Sequence, residues 1–190
     1  MEVEEIVLLG PDGQVVGTAP KLASHHRATP FHLAFSCYLL DEEGRVLITR
    51  RAEAKRTWPS AWTNSFCGHL ALHETLREAV RRRAQVELGL EIDDLTLVLP
   101  LFRYRASMPN GIVENEQCPV VRARAVGKLH LDPSEVAEAH WREWADCLDL
   151  AKQPEASPWF RNQVGELAAL GAPEYWPDAN PALLPPALSW

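Results

Sequence analysis

The apolar positions along the chain change period several times, and each change marks an element. VEEIVLLG reads as a strand, PDGQ as a turn and VVGT as the returning strand. A polar stretch, KLASHHRATP, follows. HLAFSCYLL and RVLITR are strand-like and flank the turn DEEG, which predicts a hairpin. From Arg51 to Ser65 no period holds, and the segment is rich in Trp, Lys and Arg. The spacing predicts a helix over His73 to Leu88, then strands over Leu95 to Tyr104 and Gly111 to Val126 around the turn PNG. DPSE (132–135) predicts a helix start, with Asp132 as N-cap, Pro133 in the first position and Glu135 closing a capping box. WREW predicts a short strand. Several prolines beyond Gly171 predict irregular packing. Strands come early, one strong helix sits in the middle, and strands then resume, which is the order of an α+β domain rather than a parallel doubly wound one. No helix follows GPDGQVVG, so those glycines form a hairpin and not a phosphate loop.

The central helix carries charge on its apolar side. At about 100° per residue, Leu72, Leu76, Ala79, Val80, Ala84 and Leu88 share one stripe, and Arg83 and Glu87 project into the middle of it. Ionised groups aimed at a core are costly unless paired or bound to a ligand. Two readings follow: an internal ion pair at i, i+4 spacing, or a helix end that faces a charged pocket.

Composition narrows the setting. The 190 residues suffice for one domain with a real core, and the 46% apolar and 24% charged content is ordinary. No run is long enough for a membrane-spanning helix. The acidic N-terminus, soon broken by Pro and Gly, is unlike a secretory leader, so a cytoplasmic protein is expected. The net charge of −7 argues against nucleic-acid or anionic-membrane partners but allows a small anionic ligand held by a local basic cluster. Four widely spaced cysteines, with no C-x-x-C pair, are expected to be thiols.

Three segments concentrate reactive side chains. TNSFCGH (63–69) sets Cys67 and His69 ahead of the helix. GIVENEQCP (111–119) puts Glu114 and Glu116 on one side of a strand, where two like charges call for a cation or for solvent. KLASHHRATPFH supplies Lys21, His25, His26 and His32. Imidazoles with carboxylates suit a six-coordinate transition-metal site.

The spacing of Gly68, Glu74, Arg82, Glu87, Gly89 and Leu90 resembles the Nudix box. Arg83 and Val86 stand where that box has glutamates. Those carboxylates gather metal ions around a diphosphate in the hydrolases. The resemblance therefore supports the Nudix fold and weakens a hydrolase reading. Taken with TNSFCGH, FRYRA (102–106) and GIVENEQCPV (111–120), the chain from roughly Lys21 to Trp159 resembles the type 1 isopentenyl-diphosphate isomerases, a Nudix branch.

That resemblance implies a Nudix-type mixed sheet packed between helices with extra N-terminal strands. It would occupy one domain over 1–170, with a Pro-rich tail at 171–190. It implies His25, His32, His69, Glu114 and Glu116 as metal ligands, for Mn²⁺ or another divalent transition ion, with Mg²⁺ and Zn²⁺ as alternatives. It implies Glu87 and the Cys67 carbonyl as contacts to a second ion, Mg²⁺, that arrives with the substrate diphosphate. Cys67 and Glu116 would be the catalytic pair, with Tyr104 beside Glu116. Lys21, Arg51, Lys55 and Arg83 would bind the diphosphate, and Trp159 would face the reacting carbons. The expected partner is a small diphosphate, and the expected state a monomer. His26 has no counterpart. Protonating an alkene and deprotonating the neighbouring carbon requires an acid, a base and a dry cavity that tolerates a tertiary cation. Glu116 with Tyr104 is expected on the acid side. Cys67 is expected as the base, its thiolate favoured by the helix start and nearby cations. The rivals are a Nudix diphosphohydrolase, which needs the missing glutamates, and a non-catalytic metal-binding or regulatory Nudix domain.

Overall fold

The computed structural model describes residues 4–190, so Val3 of the expected first strand lies outside them. In chain order the elements are β1 (Glu5–Leu9), β2 (Val15–Pro20), the short α1 (Lys21–Ser24), β3 (His32–Leu33), β4 (Phe35–Leu40), β5 (Val46–Arg51), β6 (Trp62–Thr63) and β7 (Phe66–Gly68). Then come α2 (Leu76–Leu88), β8 (Glu91–Leu99), β9 (Arg103–Ser107), β10 (Val113–Gln117), β11 (Val120–Val126), β12 (Val136–Arg142), α3 (Trp144–Leu150) and α4 (Pro158–Leu167).

The strands form two mixed sheets, ordered β2-β1-β3-β10-β9 and β12-β5-β4-β11-β8, with β6 added to β5 and β7 to β4. Two parallel pairings, β3 with β10 and β4 with β11, lie at their centres. The chain crosses between the sheets twice side by side, at Ala34 and at Cys118-Pro119. The Ala34 N–H donates to the Gln117 carbonyl (2.9 Å) and the Ser36 N–H to the Pro119 carbonyl (3.0 Å), so the ladder continues through the crossing. HLAFSCYLL, expected as one strand, is therefore two strands in different sheets. The strands expected over Leu95 to Tyr104 and Gly111 to Val126 each divide in the same way. Pro100 and Pro119 lack the N–H that an uninterrupted ladder requires.

The central helix starts later than its apolar period suggests. Thr75 is the N-cap, its side chain accepts from the Glu78 N–H, and the Glu78 carboxylate accepts from the Thr75 N–H in return. His73 has φ 68°, outside the helical region, and Leu72 falls before the helix and is exposed. The other stripe residues are buried, as are Arg83 and Glu87. Gly89 ends the helix in the left-handed conformation, its N–H donating to the carbonyls of Ala84 and Gln85.

The helix expected at DPSE is absent. The Asp132 carboxylate accepts from the Ser134 N–H (2.8 Å) and hydroxyl (2.7 Å), which closes a single turn. From Val136 the backbone pairs with β5, and that pairing overrides the local capping pattern. WREW is likewise split, with Arg142 ending β12 and Trp144 opening α3. The tail packs on the body. Trp176 is buried against Tyr38 and Trp144, and the Leu76 N–H donates to the Ser189 carbonyl (2.8 Å).

Candidate active site

A cavity of about 490 Å³ lies between the two sheets, within the usual range for small-molecule sites. The first sheet contributes Tyr104 from β9 and Glu114 and Glu116 from β10. The second contributes Cys67 and Gly68 from β7, α2 adds Arg83 and Glu87, and α4 adds Trp159.

At one end three imidazoles converge. Ring centroids are 5.2 Å apart for His25–His32 and for His32–His69, and 5.6 Å for His25–His69. His25 Nδ1–H donates to the Lys21 carbonyl (2.7 Å) and His32 Nδ1–H to the Pro30 carbonyl (2.8 Å). A carbonyl can only accept, so these bonds fix the tautomer and leave both Nε2 lone pairs aimed inward. Glu116 Oε1 lies 3.6 Å from His32 Nε2 and 3.4 Å from His69 Nε2, and Glu114 Oε2 lies 3.1 Å from His25 Nε2. One donor atom from each of His25, His32, His69 and Glu116 falls within 4.8 Å of the others, little more than two metal–donor bonds of about 2.1 Å.

The protonation states fit the same use. Burial holds His69 neutral, with its pKa lowered to about 3. Burial also works against ionised Glu116, yet the neighbouring His32 and His69 hold its carboxyl well below the usual range. His32 Nε2 and both ring nitrogens of His69 are buried without a hydrogen-bond partner. Such orphaned atoms cost about 1–3 kcal/mol each if nothing engages them. A neutral His69, an ionised Glu116 and unpartnered ring nitrogens on His32 and His69 together fit a divalent ion of the transition series. The glutamates of β10, ambiguous as a solvated strand face, are buried.

The same cavity is lined by basic side chains threaded with carboxylates. Arg83 donates to Glu87 Oε1 from Nε (2.9 Å) and Nη2 (2.6 Å), and its Nη2 lies 3.3 Å from Glu135 Oε1. Lys55 pairs with the second oxygen of Glu135. Lys21 donates to both oxygens of Glu4, at 2.9 and 3.0 Å. Both readings of the charged helix face thus hold together: Arg83 and Glu87 form an ion pair and line a pocket. Gly68 makes room for Arg83, since a Cβ there would meet Arg83 Cγ at 2.7 Å and the Phe35 ring at 2.9 Å. Burial pushes the Glu87 carboxyl up, and burial together with Arg51 pulls the Lys55 ammonium down. Arg51 fastens the loop before β6, donating to the carbonyls of Thr57 and Trp58, and its guanidinium sits 5.3 Å from the Trp159 ring centroid.

Cys67 differs from its sequence expectation. Seven residues, His69 to Thr75, separate its strand β7 from the first helical residue, Leu76, so it does not sit at the start of α2. Burial pushes its thiol up to about 11 despite bonds to Ser36 Oγ and Asn64 Oδ1, both 3.3 Å away. At rest it is a neutral thiol. Burial also raises the Tyr104 hydroxyl well above its ordinary value, and Tyr104 sits directly opposite Glu116 on the neighbouring strand. Trp159 is both core and site, 3% exposed yet lining the cavity.

Of the thirteen candidate site residues, all but His32 line the cavity. His25, His69, Glu114 and Glu116 line the cavity, with His32 directly behind them in the same cluster. His26 is exposed. Sequence reasoning missed Glu135 and Glu4. Glu135 sat inside a helix-start pattern that concealed it, and nothing local marks Glu4.

Comparison with known proteins agrees with this geometry. A NUDIX domain profile matches residues 30–163. Solved structures share the fold. The DR0079 protein of Deinococcus radiodurans aligns over 86% of this chain and 98% of its own, with a TM-score of 0.66 at 23% identity. A MutT protein from Methanosarcina mazei covers 74% of this chain and 94% of its own, with a TM-score of 0.58 at 20% identity. Fold and site thus define a Nudix domain. Closer relatives narrow the class. The isopentenyl-diphosphate Delta-isomerase of Saccharopolyspora erythraea is 50% identical over 188 residues, 97% of each chain. That of Mycolicibacterium vanbaalenii is 54% identical over 169 residues, 88% of this chain and 93% of its own. The chain belongs to the isopentenyl-diphosphate Delta-isomerase family.

Proposed function

We propose that the protein interconverts isopentenyl diphosphate and dimethylallyl diphosphate by a metal-dependent proton shift through a tertiary carbocation. The observation that carries this reading is the shared cavity. A His/Glu cluster, a cysteine and a tyrosine lie beside a buried indole, and basic side chains line the same cavity. Relatives of the same name at 50–54% identity support it.

The diphosphate fits the arm of Lys21, Arg51, Lys55 and Arg83. Guanidinium and ammonium groups there match phosphate oxygens in charge and donor geometry. Mg²⁺ carried by the diphosphate would meet Glu87. With the head group held there, the five-carbon tail extends toward Cys67, Tyr104, Glu116 and Trp159. Those groups come from the two sheets and α4, so an alkene between them has proton-handling groups on both faces. A divalent ion held by His25, His32, His69, Glu114 and Glu116 would draw charge from Glu116 and strengthen it as an acid. Three imidazoles favour Mn²⁺ or another transition ion over Mg²⁺.

Toward dimethylallyl diphosphate, the Cys67 thiol, neutral at rest, would first pass its proton to the ionised Glu116 beside Tyr104. That side then delivers a proton to the terminal alkene carbon, and the Cys67 thiolate takes one from the carbon beside the cation. The reverse direction exchanges the roles. The buried indole of Trp159 stabilises the cationic centre by roughly 0.5–2 kcal/mol without offering a nucleophile, and bound substrate filling the cavity would displace the water that could capture it.

The test is incubation of isopentenyl diphosphate with the purified, metal-replete protein in D₂O, followed by NMR. Appearance of the allylic isomer carrying deuterium supports the reading. Release of inorganic phosphate or pyrophosphate without isomerisation would instead establish a hydrolase.

A further inference from the structure

Behind the cavity wall lies a polar cluster that the reaction scheme does not use. Thr63 and Asn64 are buried, at 3% and 0% exposure, and neither lines the cavity. The Asn64 amide is locked in one orientation because its Nδ2 donates to the carbonyls of Cys37 (2.9 Å) and Phe66 (2.7 Å). Its oxygen therefore points the other way as an acceptor. Three donors converge on that oxygen: the Thr63 hydroxyl at 2.8 Å, the Cys67 thiol at 3.3 Å and the Trp159 indole N–H at 3.2 Å. Thr63 spends its one proton on Asn64, so its own oxygen is free to accept. It accepts from Trp159 Nε1 at 2.8 Å and from the Ser157 hydroxyl at 3.0 Å. The indole N–H is thus shared between two oxygens, one of which also holds the Cys67 sulfur.

We propose that Thr63 and Asn64 are positioning residues for the isomerisation, their paired oxygens fixing the Trp159 indole and the Cys67 sulfur relative to each other on the cavity wall. The proposal rests on the functional reading above. Trp159 and Cys67 belong to separate elements, α4 and β7, and the two oxygens link these two side chains directly. Gln163 of α4 reaches the Cys67 sulfur separately, through the Ser36 hydroxyl. A ring face can stabilise a cation only when the cation lies over it. Misplacing reacting groups by about 1 Å can cost up to roughly 100-fold in rate. Tethering the indole by its N–H edge sets the plane of the ring.

Thr63→Val removes the hydroxyl while keeping the shape. It takes away one acceptor of the indole and the donor that steadies the Asn64 oxygen. Expected is a loss of about tenfold in kcat, with KM for isopentenyl diphosphate unchanged within about twofold, because the basic arm is untouched. In ¹⁵N-Trp-labelled protein the Trp159 indole resonance, assigned by its absence in Trp159→Phe, shifts. In the Trp159→Phe background, Thr63→Val then changes kcat by less than about twofold, as coupled residues should. A Thr63→Val protein with kcat within twofold of the parent overturns the proposal, whatever the resonance does. An undiminished tenfold loss in the Trp159→Phe background also overturns it, since that marks a general structural effect. Asn64→Ser should give the same pattern. If it fails to fold, the Thr63 and Trp159 variants decide alone. A parent that does not isomerise at all sinks the functional reading itself, and the indole resonance still reports whether the tether exists.

Discussion

Arg83→Met should destabilise the protein strongly and in a pH-dependent way. Met keeps most of the aliphatic stem that packs over Gly68 and removes the guanidinium. Arg83 and Glu87 are each 8% exposed at the side chain and are joined by two short bonds to one oxygen. Breaking a buried pair by deleting one partner costs about 3–5 kcal/mol, because the other charge is left desolvated. For a chain of this size that is a fall in Tm of roughly 6–20 °C. Burial already holds the Glu87 carboxyl above its usual pKa, and losing Arg83 pushes it higher. A carboxyl whose folded pKa exceeds its unfolded value, about 4.3, favours the folded state when protonated. The penalty should therefore be small near pH 5 and grow as pH rises through the folded value, reaching a plateau once Glu87 would be ionised. Thermal unfolding by circular dichroism at pH 5, 6.5 and 8 measures this. Adding Glu87→Gln should recover a large part of the loss at pH 8 and little at pH 5. A loss under about 1 kcal/mol at pH 8 would refute the reasoning, as would a double variant no more stable than Arg83→Met.

The remaining predictions concern the reactive groups. Cys67→Ala and Glu116→Gln should each abolish deuterium incorporation from D₂O while leaving Tm within a few degrees, and near-normal turnover in either would remove that residue from the mechanism. Chelation should stop turnover, and readdition of Mn²⁺ should restore it, as followed by metal analysis alongside the isomerase assay. Chelator-stripped protein should lose stability as pH falls below about 6.5, because the unfolded His69 then takes up a proton that the folded one, with its pKa near 3, does not. An unfolding series from pH 8 to 5 reads this, and a flat profile would count against the buried neutral imidazole. With its thiol near 11, Cys67 should react with iodoacetamide at pH 7 far more slowly than free cysteine, as judged by mass spectrometry of the alkylated peptide.

How much of this was legible in the sequence depends on whether the deciding interactions were local. The α2 pattern was readable because its period, its Gly89 terminator and its misplaced Arg83 and Glu87 all lie within one helix. Its start was misjudged by three residues because His73 leaves the helical region before Thr75 caps the chain. The strand breaks at Ala34 and Cys118 were not readable. Their cause is a pair of crossings between sheets that support each other across 83 residues, and either segment alone looks like one continuous strand. DPSE failed for the related reason that pairing with β5 outweighed a good local cap.

The site divides along the same line. The imidazoles and glutamates could be named from the sequence, but what suits them to a metal is tertiary: two backbone carbonyls that orient His25 and His32, and burial that keeps His69 neutral. Cys67 shows the converse. Its motif marked it as reactive, and the physical reason first offered, a place at the start of the central helix, does not hold, because seven residues separate β7 from that helix. What surrounds it instead is an acceptor, Asn64, and a hydroxyl, Ser36, in a closed wall. Arg83 separates this cavity from that of a hydrolase. Where the Nudix box has a second carboxylate, a guanidinium pairs with Glu87 and shares Glu135 with Lys55, and on the function proposed above it would meet the diphosphate as a cation. On that reading the head group is anchored without water being activated against it, and the chemistry falls to the sulfur, the carboxylate and the indole that line the same cavity.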